Sequence, residues 1–121
     1  MPIRYFVYTK KEINSSDFEE GDTLHFCSAS LIDALIKIAH SKAIEYCKAK
    51  NGIISFDPNI RLPLWNSDDE CRRAILEFLP RANILKISDE ELQFITEIQD
   101  EETALNSLFK GNVAIVISYY A

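Results

Sequence analysis

A run of strand length, Ile53-Ile54-Ser55-Phe56, passes directly into Asp57-Pro58-Asn59-Ile60-Arg61 and is closed off by Leu62-Pro63-Leu64-Trp65. A long amphipathic segment and then Asn51-Gly52 precede it. Helix, stop signal and apolar run in that order describe a βαβ crossover whose second strand is buried in a parallel sheet. In an open parallel sheet, ligands sit just past the carboxyl ends of the strands. Asp57, Asn59 and Arg61 occupy that position. They bring a negative charge, an amide that donates and accepts, and a fork of donors suited to phosphate or carboxylate.

The same alternation runs along the chain. Ile3 to Tyr8 reads as an opening strand, and Asn14-Ser15-Ser16-Asp17 marks a turn in the polar connection that follows. Thr23 to Cys27 is a strand. Ser30 is placed to cap the next helix, with Asp33 three residues on and Asn51-Gly52 as its stop. After Trp65, Ser67-Asp68-Asp69-Glu70 has the form of a capping box, and Pro80 ends the helix it opens. Ile84 to Ile87 is a strand, and Ser88-Asp89-Glu90-Glu91 is a second box. A helix from about Glu101 to Phe109 precedes a last apolar strand, Val113 to Ser118.

The resulting order, β-α-β-α-β-α-α-β over residues 23–118, predicts an α/β fold. It is read as a Rossmann-like three-layer sandwich with a mostly parallel sheet covered on both faces. Right-handed crossovers would gather the strand-to-helix loops on one edge. Residues 1–121 are expected to form one partial α/β domain, with 1–22 an edge strand and polar connection. An apolar last strand with no helix after it, and an opening strand with no partner, predict self-association, a dimer being the simplest form, or completion by another polypeptide.

A formal charge of −6 argues against a nucleic-acid backbone or an anionic membrane as the main partner. Cys27, Cys47 and Cys71 have no metal-ligand spacing and lie in apolar patterns, so reduced buried thiols and a cytoplasmic location are expected. No apolar run reaches bilayer length. His25 and His40 lack a second ligand at usable spacing and read as structural or surface residues.

Three pieces carry a resemblance to a known family: Leu24-His25-Phe26-Cys27-Ser28-Ala29-Ser30-Leu31, then Phe56-Asp57-Pro58-Asn59-Ile60-Arg61 with Leu64-Trp65, then Lys86-Ile87-Ser88-Asp89-Glu90-Glu91-Leu92. Together they resemble the middle of a PfkB-type (ribokinase-superfamily) carbohydrate kinase, closest to the fructokinases and 2-keto-3-deoxygluconate kinases. The resemblance implies a truncated central portion of a ribokinase-like fold. It also implies ATP and Mg²⁺ as cofactors of the complete fold, neither bound tightly here, and a sugar as substrate. Asp57, Asn59 and Arg61 match the family loop between sugar and phosphates. Ser88 and Glu91 match the family's Asn-x-x-Glu positions near nucleotide and magnesium, with serine in place of asparagine. The family's Gly-Ala-Gly-Asp motif, which carries the catalytic base, has no counterpart among these residues. Ser118-Tyr119-Tyr120 stands where the family has a Thr-Leu-Gly-type turn. No residue is therefore assigned as catalytic, and none as a direct metal ligand.

Beside the family roles stand plainer ones. Glu91 can be a capping glutamate that reaches back to the Ser88 amide. Asp57-Pro58-Asn59 can be an ordinary turn. The functional expectation is a fragment of an ATP-dependent sugar kinase, inactive alone. The alternative is a non-catalytic α/β scaffold that self-associates or completes another chain.

Overall fold

Each apolar run of the sequence pairs with the next in parallel. The structure, a computed structural model, describes residues 14–32 and 34–121. The expected strand at Ile3–Tyr8 and the side chain of Asp33 lie outside the described residues. Four strands, β1 (Thr23–Phe26), β2 (Ile53–Phe56), β3 (Ile84–Ser88) and β4 (Ile115–Tyr119), form one sheet in chain order, every neighbouring pair parallel. The helices between them are α1 (Ala34–Ala49), α2 (Asp68–Phe78), α3 (Asp89–Thr96) and α4 (Glu101–Ser107).

The α/β order and the parallel sheet are as the sequence predicts, and the strand order decides where these helices lie. When every right-handed crossover returns to the adjacent strand, all the helices fall on one face. Leu24, Phe26, Ile54, Phe56, Leu85 and Ile87 point to that face and are buried. His25 and Lys86, which alternate with them, are exposed, as are Ile115, Ile117 and Tyr119 of β4. Among the described residues no helix lies on the second face, and β4 is at the edge of the sheet.

The covered face holds an aromatic stack. Phe26 lies on Phe56 with ring centroids 4.3 Å apart and planes 8° from parallel, and Phe78 of α2 meets Phe26 edge-on at 6.3 Å. His40 of α1 joins the stack 4.2 Å from Phe26 and is itself buried. Burial first, and then the charge of Arg81, lowers the His40 pKa to about 4. The imidazole therefore sits in the core as a neutral ring.

Local signals account for most helix boundaries. Ser67 accepts from the Glu70 amide at 3.1 Å and caps α2, and Pro80 falls in the 3₁₀ turn that ends it. Ser30 does not cap α1. Residues Ser28–Leu31 form a 3₁₀ turn in which the Ser30 hydroxyl donates back to the Cys27 carbonyl at 2.9 Å, and α1 begins later, at Ala34. At the other end of α1 the left-handed residue is Asn51 (φ 55°), while Gly52 serves close approach: a β-carbon there would lie 2.3 Å from Cys47 Sγ.

Asn83 sets the register of the sheet. Its side-chain Oδ1 accepts from the Ile54 amide at 2.8 Å, its own amide donates to the Ile54 carbonyl at 2.8 Å, and its carbonyl accepts from Ala114 and Ile115. One residue therefore ties the starts of β2, β3 and β4 together.

Candidate functional site

Past Phe56 the β2 chain keeps its place beside β1 for one more residue. The Asp57 amide donates to the Phe26 carbonyl at 3.0 Å, and the Pro58 carbonyl accepts from Ser28 at 2.9 Å. The chain then turns at Asn59, whose φ of 42° is left-handed, a conformation asparagine tolerates better than most residues. The turn delivers the Ile60 amide to the Glu91 carboxylate, Oε2 at 2.9 Å.

Glu91 also completes the box that opens α3. Its Oε1 accepts from the Ser88 amide at 3.0 Å, and the Ser88 hydroxyl accepts from the Glu91 amide at 3.2 Å. Both carboxylate oxygens thus bind backbone N–H groups, one on each of two strand-to-helix loops. The capping bond is the plainer role weighed for this residue; the bond to Ile60 is an addition that spacing alone does not suggest.

Five residues were singled out in the sequence, and the chain brings them to the carboxyl edge of β2 and β3. Arg61 and Glu91 line one groove of about 600 Å³ with Ile60, Leu64, Glu90 and Phe94. Arg61 is exposed and has no ion pair among the described residues. Asp57 is half-buried, and its Oδ1 is enclosed with no hydrogen-bond donor among the described residues. Asn59 is exposed at the turn, and Ser88 is buried at the head of α3. Trp65, four residues beyond Arg61, is buried in the core at 9% exposure. A second groove, of about 460 Å³ along α4 and β4, includes none of the five.

Sequence reasoning passed over two neighbours of this edge. Tyr119 pairs in register with Ser88, and the Lys86 Nζ lies 5.3 Å from the centre of the Tyr119 ring. Burial, and then the carboxylates of Glu91 and Asp57, raise the Tyr119 phenol above its ordinary range. The Ser118-Tyr119-Tyr120 departure was the available signal. The three cysteines are free, and burial pushes the Cys71 thiol up to about 11 and raises Cys47 too. Among the described residues no group of three or more His, Cys, Asp or Glu could hold a metal ion, and no helix is long and apolar enough to cross a membrane.

The family profile for pfkB family carbohydrate kinases matches residues 4–119, nearly the whole chain. The chain belongs to the pfkB family. Among members of known description, it is 40% identical over 108 residues to "Probable fructokinase-4" of Arabidopsis thaliana, across 88% of this chain and 33% of that protein. It is 35% identical over 118 residues to "Fructokinase-2" of Solanum lycopersicum, across 96% of this chain and 36% of that one. The pfkB fold is equally plain in three dimensions. A crystal structure of fructokinase from Vibrio cholerae, bound to fructose, ADP and calcium ion, superposes with a TM-score of 0.77 at 31% identity, over 88% of this chain and 36% of that one. This chain spans about a third of the length of the relatives it matches.

Proposed function

We propose that these residues form the part of an ATP-dependent, fructokinase-like sugar kinase in which a sugar hydroxyl and a transferring phosphoryl group meet beside Asp57, Asn59 and Arg61. The observation that carries this reading is the bond between Glu91 and the Ile60 amide, which holds that loop against the head of α3. Phosphoryl transfer asks the protein mostly for positioning and for neutralisation of developing charge. Arg61, exposed and without an ion pair among the described residues, supplies a cationic fork at the loop. Glu91 keeps one acceptor position on each oxygen after binding its two amides. With Ser88 it fits contact with the water shell of a hydrated magnesium ion, not direct ligation. Magnesium, when bound with ATP, would neutralise phosphate charge; the protein's part is to orient the loop.

No group at this edge is placed as the base that would take the hydroxyl proton. A polypeptide of these 121 residues is therefore expected to release no ADP above buffer with fructose, ribose or ketodeoxygluconate. A coupled ADP-release assay tests this. Turnover that disappears on Asp57→Asn would overturn the assignment of no catalytic residue. The β4 edge, open among the described residues, favours a second reading, a non-catalytic scaffold that pairs with itself or completes another chain. Light scattering of the purified chain, alone and mixed with a longer relative, separates the two.

A further inference from the structure

The groove that Arg61 lines has preformed apolar walls. Leu62 and Leu64 are 38% and 53% exposed. A 3₁₀ turn over Leu62–Leu64, closed by the bond from the Trp65 amide to the Leu62 carbonyl at 2.9 Å, holds both in place. Phe94 of α3 forms a further wall. The Arg72 guanidinium lies 4.6 Å from the centre of its ring, and Arg72 Nε donates to the Phe94 carbonyl at 2.8 Å. A volume of about 600 Å³ is usual for a small-ligand site. Walls of this kind suit the C–H side of a carbohydrate, which packs on apolar and aromatic surface.

The charges in the groove do not balance. Arg61 brings one positive charge, and Glu90 and Glu91 bring two negative ones. Glu91 already binds the amides of Ser88 and Ile60. Glu90 is exposed and joins no ion pair among the described residues. Arg72, which covers Phe94, is itself paired with Asp69 and Glu97. The N-terminus of α3 adds about half a positive charge, and Asp89 joins the two glutamates in that first turn. An anionic ligand that reaches Arg61 therefore also meets Glu90. A neutral one finds an acceptor there instead.

We propose that Glu90 is a specificity-determining residue of this groove, which takes a neutral polyhydroxyl sugar and discriminates against sugar acids. The proposal rests on the sugar-kinase reading and narrows its substrate class. A sugar hydroxyl both donates and accepts, so one hydroxyl can donate to Glu90 while another accepts from Arg61. Leu62, Leu64 and Phe94 then cover the carbon skeleton. The carboxylate of a sugar acid would gain Arg61 but lie among like charges at the head of α3. No bond is made or broken in this step.

The test is a titration of the isotope-labelled chain with fructose and, separately, with ketodeoxygluconate, followed through its amide signals. Saturable shifts are expected at Arg61, Glu90 and Phe94, with fructose bound more tightly than the acid. The readout is the ratio of the two affinities. Glu90→Gln keeps the shape and removes the charge, and it should narrow the ratio about threefold, the scale of one exposed charge interaction. Glu45→Gln, on the exposed face of α1, removes the same charge away from the groove and should leave the ratio unchanged. Melting curves establish that both variants are folded. If both sugars bind and Glu90→Gln leaves the ratio as it was, the proposal falls and the sugar-kinase reading stands. The same holds if the parent prefers the acid, or if Glu45→Gln narrows the ratio equally. No saturable binding of either sugar by the parent would overturn both.

Discussion

Glu91 and Ile60 stand 31 residues apart in sequence and meet as carboxylate oxygen and amide nitrogen at 2.9 Å. That one contact makes the loop after β2 and the head of α3 a single unit. Replacing Glu91 with alanine strands two partly buried N–H groups, those of Ser88 and Ile60. The expected loss is about 2 kcal/mol, at the scale of unsatisfied backbone donors. Glu91→Gln keeps one good acceptor and should lose about half as much. Urea unfolding measures the loss, and hydrogen exchange at Ile60 locates it. If Ile60 stays as protected in Glu91→Ala as in the parent, the loop is held by something else.

Acid should weaken the fold through His40 in particular. The unfolded chain takes up this proton near 6.5, whereas the folded chain resists it until about pH 4. The stability this difference represents is complete above pH 6.5 and declines as pH falls towards 4. A shift of this size corresponds to about 3 kcal/mol at most. His40→Phe keeps a ring against Phe26 and removes the titration. Its stability should be flatter than the parent's between pH 6.5 and 4. Parallel curves for the two proteins would mean that other groups carry the acid sensitivity.

Asn83→Ala should cost more than its half-buried position suggests. The Ile54 amide loses its 2.8 Å acceptor in a strand where Ile54 is fully buried. A loss of about 1–3 kcal/mol is expected, the penalty for a buried unsatisfied donor. Asn83→Asp keeps an acceptor oxygen and should recover part of it. Thermal melts of both variants decide the matter, and equal losses would show that the carbonyl oxygen is not what counts.

How much of this was legible in the sequence depended on range. Ser88 and Glu91 are three residues apart, so their reciprocal capping follows from local geometry and needs no tertiary knowledge. The apolar runs and their stops likewise place the four strands within a residue or two. Ser30 misled because a serine before an apolar run also suits a 3₁₀ turn, where its hydroxyl bonds backwards to Cys27. The pattern of apolar runs is silent on strand order, and strand order decides which face these helices cover. Ile60–Glu91, Asn83–Ile54 and Lys86–Tyr119 all join separate elements. Such contacts become visible only when the sheet brings those elements side by side.

The edge strand β4 carries the last prediction. Ile115, Ile117 and Tyr119 are 51%, 48% and 39% exposed, and among the described residues no strand lies beyond them. An open edge that is also apolar is a template for a further strand. Two copies joined edge to edge about a two-fold axis would satisfy the outward backbone groups of both. With β4 running from Ile115 to Tyr119, an antiparallel pairing sets its centre at Ile117. Ile117→Lys would then bring two ammonium groups together near the axis, where like charges repel. Light scattering across a tenfold dilution range should find a concentration-dependent dimer for the parent and a monomer for Ile117→Lys. A parent that keeps a monomer mass at every concentration overturns the pairing. A dimer that survives Ile117→Lys unchanged places the contact somewhere other than β4.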